Sequence, residues 1–250
     1  MIEAVLFDID NTLILFDETA FIRAYISRLI PHFLDFFTPE AFHERLMEAT
    51  RALLSNRGHM SNADFYLNHF TRGLHHHRRE IEDRFFRFYE LEFNDLSTLT
   101  RPVDHVAETM EALQKKELKM IIASNPFWPL NVQKMRLSWA GVGHIPFAHI
   151  THIDNTSACK PQPAYYEEIC RRTGIAAERC LMTGNDPVND MIAGITGMKT
   201  YLTTDAANQG FSSTPMSADL RRRTASFPHK PDFQGAFSEL PNVVESLSSR

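Results

Sequence analysis

Cysteine is scarce in this chain of 250 residues. Cys159, Cys170 and Cys180 are an odd set that cannot close completely into disulfides, and none stands in a C-x-x-C pair with metal-site spacing. A reducing, cytoplasmic setting is the expectation. Positive charge is not in excess either: 26 Lys and Arg against 31 Asp and Glu give a net charge of -5. That balance removes any global attraction to nucleic acid or to an anionic membrane. No apolar run approaches the ~18 residues of a membrane span. The opening MIEAVLFDID has acids at positions 3, 8 and 10 and no basic flank, so it reads as a buried strand and not as a secretion signal. Internal repeats are missing, and one long loop-like tract, about 203–234, is rich in Ser, Thr and Pro. With 43% hydrophobic and 23% charged residues, disordered and fibrous architectures are excluded. Any anion this chain handles must be met by local charge.

What is abundant is phenylalanine, 19 in all and most of them before residue 100. From Glu18 to about Phe37, residues such as Phe21, Tyr25, Leu29 and Phe33 recur at three and four positions, which predicts a helix with a wide buried face. Thr38-Pro39-Glu40 reads as a cap with proline in the first turn of a second helix, 39–56. Further helices are expected at 62–74 and 79–95, the last with Ile81, Phe85, Phe88 and Tyr89 along one side. This stripe is read as helix-bundle core, with the wall of a ligand pocket as the alternative.

After Arg101-Pro102 the pattern becomes an alternation. Helix 103–116 leads to strand 118–124, helix 128–139 to strand 147–150, helix 163–173 to strand 180–183, and helix 188–195 to strand 199–202. Such alternation implies βαβ units and a parallel sheet, which Ala4 to Phe7 joins by composition. Leu240, Val243, Val244 and Leu247 have the spacing of a short closing helix. The expected fold class is α/β: a Rossmann-like parallel-sheet core, residues 1–15 and 99–250, interrupted by an inserted α-helical bundle, residues 16–98.

In an open parallel sheet, ligands bind at the carboxyl ends of the strands. Strand 4–7 is followed by Asp8-Ile9-Asp10-Asn11-Thr12, two carboxylates that repel each other unless a divalent cation or a shared proton compensates. Strand 118–124 ends in Ser124-Asn125, a hydroxyl beside backbone N–H groups of the kind that hold phosphate oxygens. Lys160 lies in Cys159-Lys160-Pro161-Gln162-Pro163, a cation in a loop stiffened by proline. Strand 180–183 is followed by Gly184-Asn185-Asp186-Pro187-Val188-Asn189-Asp190, an acidic loop that opens a helix.

These four motifs, in this order and on these strand ends, resemble the haloacid dehalogenase superfamily, in the subfamily with a helical cap between the first two motifs. The D-x-D-x-T motif stands as Asp8 to Thr12, the hydroxyl motif as Ser124, the lysine motif as Lys160 and the acidic motif as Asp186 and Asp190. One departure is Asn185 where many members carry the first acid directly after glycine. The resemblance implies a Mg²⁺-dependent phosphatase that hydrolyses a small phosphomonoester through an aspartyl-phosphate. It casts Asp8 as nucleophile, Asp10 as acid and base, and Lys160 as a bridging cation. Ser124, Asn125, Lys160 and Thr12 would hold the phosphate, and Asp8, Asp10 and Asp186 the metal, with Asn185 and Asp190 in support. The second acid, Asp10, argues for a phosphate ester, because halide-displacing and phosphonate-cleaving members do not carry it. A phosphomutase of the β-phosphoglucomutase type shares every one of these motifs.

Taken singly, each motif has a plain structural explanation as a turn, a cap or surface. A non-catalytic phosphometabolite- or partner-binding protein of the same fold is the rival from another class, and it predicts a damaged constellation. His75-His76-His77 is read as a solvated helix end, since adjacent histidines on a helix cannot meet one ion. Arg221-Arg222-Arg223 is short and offset by nearby acids. Cys159, beside Lys160, is read as packing, and the ten Met as core filling. The expected partner is a small phosphorylated metabolite, either a nucleoside monophosphate or a sugar- or glycolate-type phosphate. Neither nucleic acid nor membrane is expected, and the chain is expected as a monomer or weak dimer.

Overall fold

A computed structural model describes residues 1–211 and 230–248 of the chain. Ala4–Phe7 (β1) is apolar throughout and buried on both faces, as a central parallel strand requires. Lys119–Ile122 (β4) and Cys180–Gly184 (β6) flank it. His149–Ile150 (β5) lies beyond β4, while Lys199–Thr203 (β7) and Phe233–Gly235 (β8) lie beyond β6. The sheet order is β5-β4-β1-β6-β7-β8, parallel at every pairing. Register sets the carboxyl ends side by side, Phe7 opposite both Ile122 and Thr183. Residues 8, 123–125 and 185–190 are therefore delivered to one edge.

Strand β8 was not expected, because the tract to about 234 reads as loop. Three residues with a central Gln carry too little pattern to announce a strand. What fixes it is Asp232, which accepts from Lys199 Nζ at 2.9 Å and from Thr200 N–H and Oγ1 at 3.0 Å each, on β7. The Arg221-Arg222-Arg223 cluster lies outside the described residues.

A short antiparallel ladder, Ile14–Leu15 (β2) with Arg101–Pro102 (β3), brackets the helical insert. Between them run Glu18–Leu29 (α1), Pro39–Leu53 (α2), Asn62–Phe70 (α3) and Arg78–Leu91 (α4). Asp17, Thr38 and Ser61 cap the first three by accepting from the N–H of Ala20, Ala41 and Asp64. The single helix expected from 18 to 37 stops at Leu29 and continues as a 3₁₀ turn, Ile30–Phe33. Pro31 is the reason: it has no N–H to donate and its ring crowds the preceding turn. The helix expected to 74 ends at Phe70, ahead of Gly73 with its positive φ of 80°. Likewise α4 ends at Leu91, and Phe93–Leu99 is 3₁₀.

Beyond β3 the helices are Val106–Gln114 (α5), Leu130–Trp139 (α6) and Pro163–Thr173 (α7). A short helix Asp205–Asn208 (α8) follows β7, and Leu240–Ser248 (α9) packs on α5. The helix expected at 188–195 is instead a 3₁₀ segment, Met191–Thr196, since Asp186 to Asp190 form a turn of their own. Phe33, Phe42, Phe70 and Phe85 pack on one another within the insert, Phe33 and Phe42 stacked and the other pairs tilted or edge-on, with centroids 4.9–6.0 Å apart. Asn62 ties the insert to the sheet domain, its side chain donating to Thr156 Oγ1 at 2.9 Å and Ala158 O at 3.0 Å.

Candidate active site

Strand β1 ends in a tight turn. The N–H groups of Thr12, Leu13 and Ile14 all donate to Ile9 O at 2.9–3.2 Å. Asn11 takes a left-handed φ of 53°, which asparagine tolerates, and its side chain accepts from Phe16 N–H at 3.1 Å. The turn brings Asp8 and Asp10 to one cleft of about 140 Å³, whose wall also includes Asn125, Lys160, Asn185, Asp186 and Asp190.

Lys160 is the hub of that wall. Its side chain is 1% exposed, and its ammonium donates to Asp8 Oδ1 at 2.9 Å and to Asp190 Oδ1 at 2.5 Å. Burial works to strip its proton, but the charges of Asp190 and Asp8 outweigh burial and hold Lys160 well above its ordinary value. Burial is also the leading influence on Asp8, whose carboxyl is raised, with Asp10 adding repulsion and Lys160 and Arg136 opposing. Asp190 is pushed up to about 7 by burial and by Asp8 and Asp186, against Lys160. Asp190 reaches its place because residue 184 is glycine: a Cβ there would collide with the Asp190 carboxylate.

Each remaining expected residue has a definite place. Thr12 Oγ1 donates to Asn185 Oδ1 at 3.2 Å, lies 3.5 Å from Asp8 Oδ2, and accepts from Asn185 N–H at 3.0 Å. Asn185 is thus joined to the first turn. Asp186 folds back on its own loop, its Oδ1 accepting from Val188 and Asn189 N–H at 2.8 and 3.0 Å. Asn125 Oδ1 accepts from Lys160 N–H at 3.0 Å, which clamps the lysine loop to the end of β4. Ser124 is fully buried and its hydroxyl has no hydrogen-bond partner, although its backbone oxygen accepts from Tyr165 and Thr151 hydroxyls. A buried polar atom left alone costs about 1–3 kcal/mol, a cost that a bound water or a ligand oxygen would relieve.

Sequence reasoning missed Arg136. It projects from α6, is buried, and its Nη2 pairs with Asp10 Oδ1. Its Nη1 donates to Gln133 Oε1 at 2.8 Å, and Gln133 Nε2 donates to Thr151 O at 3.0 Å. The only sign in the sequence is Gln133 and Arg136 sharing a helix face with Val132 and Leu137, a face that pattern reading assigns to apolar packing.

The cleft wall carries Asp8, Asp10, Glu18, Asp186 and Asp190 against Lys160 and Arg136. This negative excess with all-oxygen donors suits a hard divalent cation. Asn189 adds a buried side-chain oxygen with no partner. Among the described residues no group of three or more His, Cys, Asp or Glu side chains is arranged to hold a metal ion by itself. Mg²⁺ does not need one, because it takes one or two carboxylates and completes its shell with water and phosphate.

Acids, a buried cation and a bare hydroxyl on adjacent ends of a parallel sheet define an α/β enzyme with its site at the switch of strand order. Residues 2–196 match the haloacid dehalogenase-like hydrolases, and the chain belongs to that family of hydrolases. It is similar to the glyceraldehyde 3-phosphate phosphatase of Methanothermobacter thermautotrophicus, 28% identical over 207 residues, 81% of this chain and 85% of that one. Its fold is shared with a 2-haloacid dehalogenase from Pseudomonas syringae pv. tomato, at TM-score 0.62 and 21% identity over 99% of this chain and 100% of that one. It is also shared with a family hydrolase from Deinococcus radiodurans carrying bound phosphate and sodium, at TM-score 0.55 and 19% identity over 99% and 96%. Among the described residues, no helix is long and apolar enough to cross a membrane.

Proposed function

We propose that the protein is a Mg²⁺-dependent phosphatase that hydrolyses a small phosphomonoester through an aspartyl-phosphate on Asp8. The observation that carries this reading is the buried Asp8–Lys160–Asp190 cluster, with the partnerless Ser124 hydroxyl just past the neighbouring strand β4. A carboxylate that attacks a phosphate dianion needs compensating positive charge first. Asp8 and Asp186, with the backbone of Asp10, would hold the metal, which supplies that charge when bound. Lys160 supplies a second, fixed charge and keeps the unliganded Asp8 oriented. Ser124 and the N–H groups after it receive the phosphoryl oxygens, while Asn125 and Thr12 brace the loops that carry Lys160 and Asn185.

In the first half-reaction an Asp8 oxygen bonds to phosphorus as the ester P–O bond breaks, and Asp10 gives its proton to the departing alkoxide. In the second, Asp10 takes a proton from water as the water oxygen attacks phosphorus. The Asp8–phosphorus bond then breaks and inorganic phosphate leaves. Four dehalogenase structures share the fold, but likeness of fold does not choose the reaction. Asp10 favours a phosphate ester, because the departing alkoxide needs a proton and a departing halide does not. Glyceraldehyde 3-phosphate, the substrate named for the Methanothermobacter relative, is the polar reference compound for any test of substrates.

The test is hydrolysis of a generic aryl phosphate at neutral pH with and without Mg²⁺. Turnover should fall by at least about 10²-fold on chelation and return with added Mg²⁺. Equal rates in both conditions would refute the metal assignment. Arg136 provides a second expectation. As the group that fixes the Asp10 carboxylate, its change to Met should lower kcat roughly 10–100-fold with KM little altered, and Lys should restore part of the loss. Unchanged kcat in a less stable Arg136→Met protein would instead make Arg136 a packing residue only.

A further inference from the structure

Between the helical insert and residues 127–129 and 153–154 of the sheet domain lies a second, half-open cavity of about 250 Å³, beside the catalytic cleft. Ile22, Tyr25, Leu46, Phe85, Tyr89 and Trp128 supply its character, which is aromatic and aliphatic. It shares three lining residues, Ile22, Phe127 and Trp128, with the cleft that holds Asp8 and Lys160. A group attached to a phosphate in the cleft therefore has this cavity as its immediate neighbour.

Little of the lining is polar, and part of it is already engaged. Tyr25 and Tyr89 hydroxyls bond to each other at 3.0 Å, and Thr50 Oγ1 donates to Leu46 O at 2.8 Å. Glu82 pairs with Arg78 at 3.0 Å and Asp154 with His152 at 3.2 Å. A nucleobase or sugar placed here would find only the Tyr66 hydroxyl, the Trp128 indole N–H and the rim carboxylates of Glu82 and Asp154, and most of its donors and acceptors would go without partners, at a substantial penalty. A hydrocarbon would lose nothing and would remove apolar wall from water.

We propose that this cavity is a leaving-group site and that the substrate class is phosphomonoesters of alcohols with an apolar aliphatic or aromatic body. This rests on the phosphatase reading above and narrows it, setting aside the nucleotide and sugar candidates. A cavity of ~150 Å³ takes up benzene, so this one admits a body of about ten carbons. The aromatic stripe of α4 thus serves twice: Ile81 and Phe88 are buried in the bundle, while Phe85 and Tyr89 also line the cavity.

The test is a homologous series of n-alkyl phosphates, from ethyl to dodecyl, assayed below their aggregation limits with Mg²⁺ present. All share one kind of primary alkoxide leaving group, so differences report on binding of the chain. We expect kcat/KM to rise roughly threefold per methylene, so that octyl exceeds ethyl by at least about 10²-fold, and to level off near ten carbons. Filling the cavity by Ala63→Phe on α3, or independently by Thr50→Phe on α2, should cut the octyl-to-ethyl ratio at least tenfold. A flat or falling series in the unaltered protein overturns the inference, as does a rising series that neither variant changes. A second readout needs no catalysis: 1-octanol should change tryptophan fluorescence saturably in the unaltered protein and not in Ala63→Phe. If no ester is hydrolysed but octanol binds in this way, the phosphatase reading fails and the apolar site stands. If esters are hydrolysed and octanol does not bind, the site fails and the phosphatase reading stands.

Discussion

Asp8→Asn should yield a folded protein whose phosphatase turnover is reduced by at least about 10³-fold. The size of the loss follows from the proposed chemistry, since a carboxamide has no anionic oxygen to bond to phosphorus and no other side chain in the cleft replaces it. Stability should hardly change, for a separate reason. Asp8 is buried, burial is the main force raising its carboxyl, and Asp10 repels it. Asparagine removes that buried charge while keeping an oxygen where Lys160 Nζ donates at 2.9 Å. The unfolding midpoint should stay within about 2 °C. Activity lost together with the fold would reduce Asp8 to a structural residue, and turnover retained in a folded variant would assign the nucleophile elsewhere.

Lys160→Met should be damaging in both respects. The lysine is the shared partner of two buried carboxylates, and its removal leaves Asp8 and Asp190 facing each other without it. Removing one partner of a buried ion pair typically costs about 3–5 kcal/mol, on the order of 10 °C in a protein of this size. A second change, Lys160→Met with Asp190→Asn, should recover much of that stability because one stranded carboxylate is gone. Activity should stay low in both, since the fixed positive charge beside the nucleophile is absent in each. Calorimetry of the three proteins separates these effects. If the double variant is no more stable than Lys160→Met, charge burial is not what the lysine relieves.

The strand ends were legible because each follows a run of apolar residues, and a parallel sheet brings such ends together whatever lies between them. Asp8, Ser124 and Asp190 could be found in that way across 183 positions of sequence, whereas Lys160 follows no strand and is marked only as a cation in a proline-stiffened loop ahead of a helix. Arg136 could not be found in either way. It sits on an internal helix face where a charge contradicts the pattern, and its partner Asp10 is 126 residues away. The shape of the insert was legible in outline, but its breaks depend on single residues such as Pro31, and β8 on the bonds that Asp232 makes to β7. The aromatic stripe was ambiguous for a physical reason: a core face and a cavity wall have the same composition, and only the space between the helices distinguishes them.

The covalent step on Asp8 is the centre of this account, and rapid acid quenching of the protein during turnover of an aryl phosphate with Mg²⁺ addresses it directly. Peptide mass spectrometry should find one phosphoryl group on the peptide containing Asp8, and more of it in Asp10→Asn, where the group that activates water is missing. Turnover with no phosphorylated protein at any time in either form, or a phosphoryl group on a different residue, would contradict it.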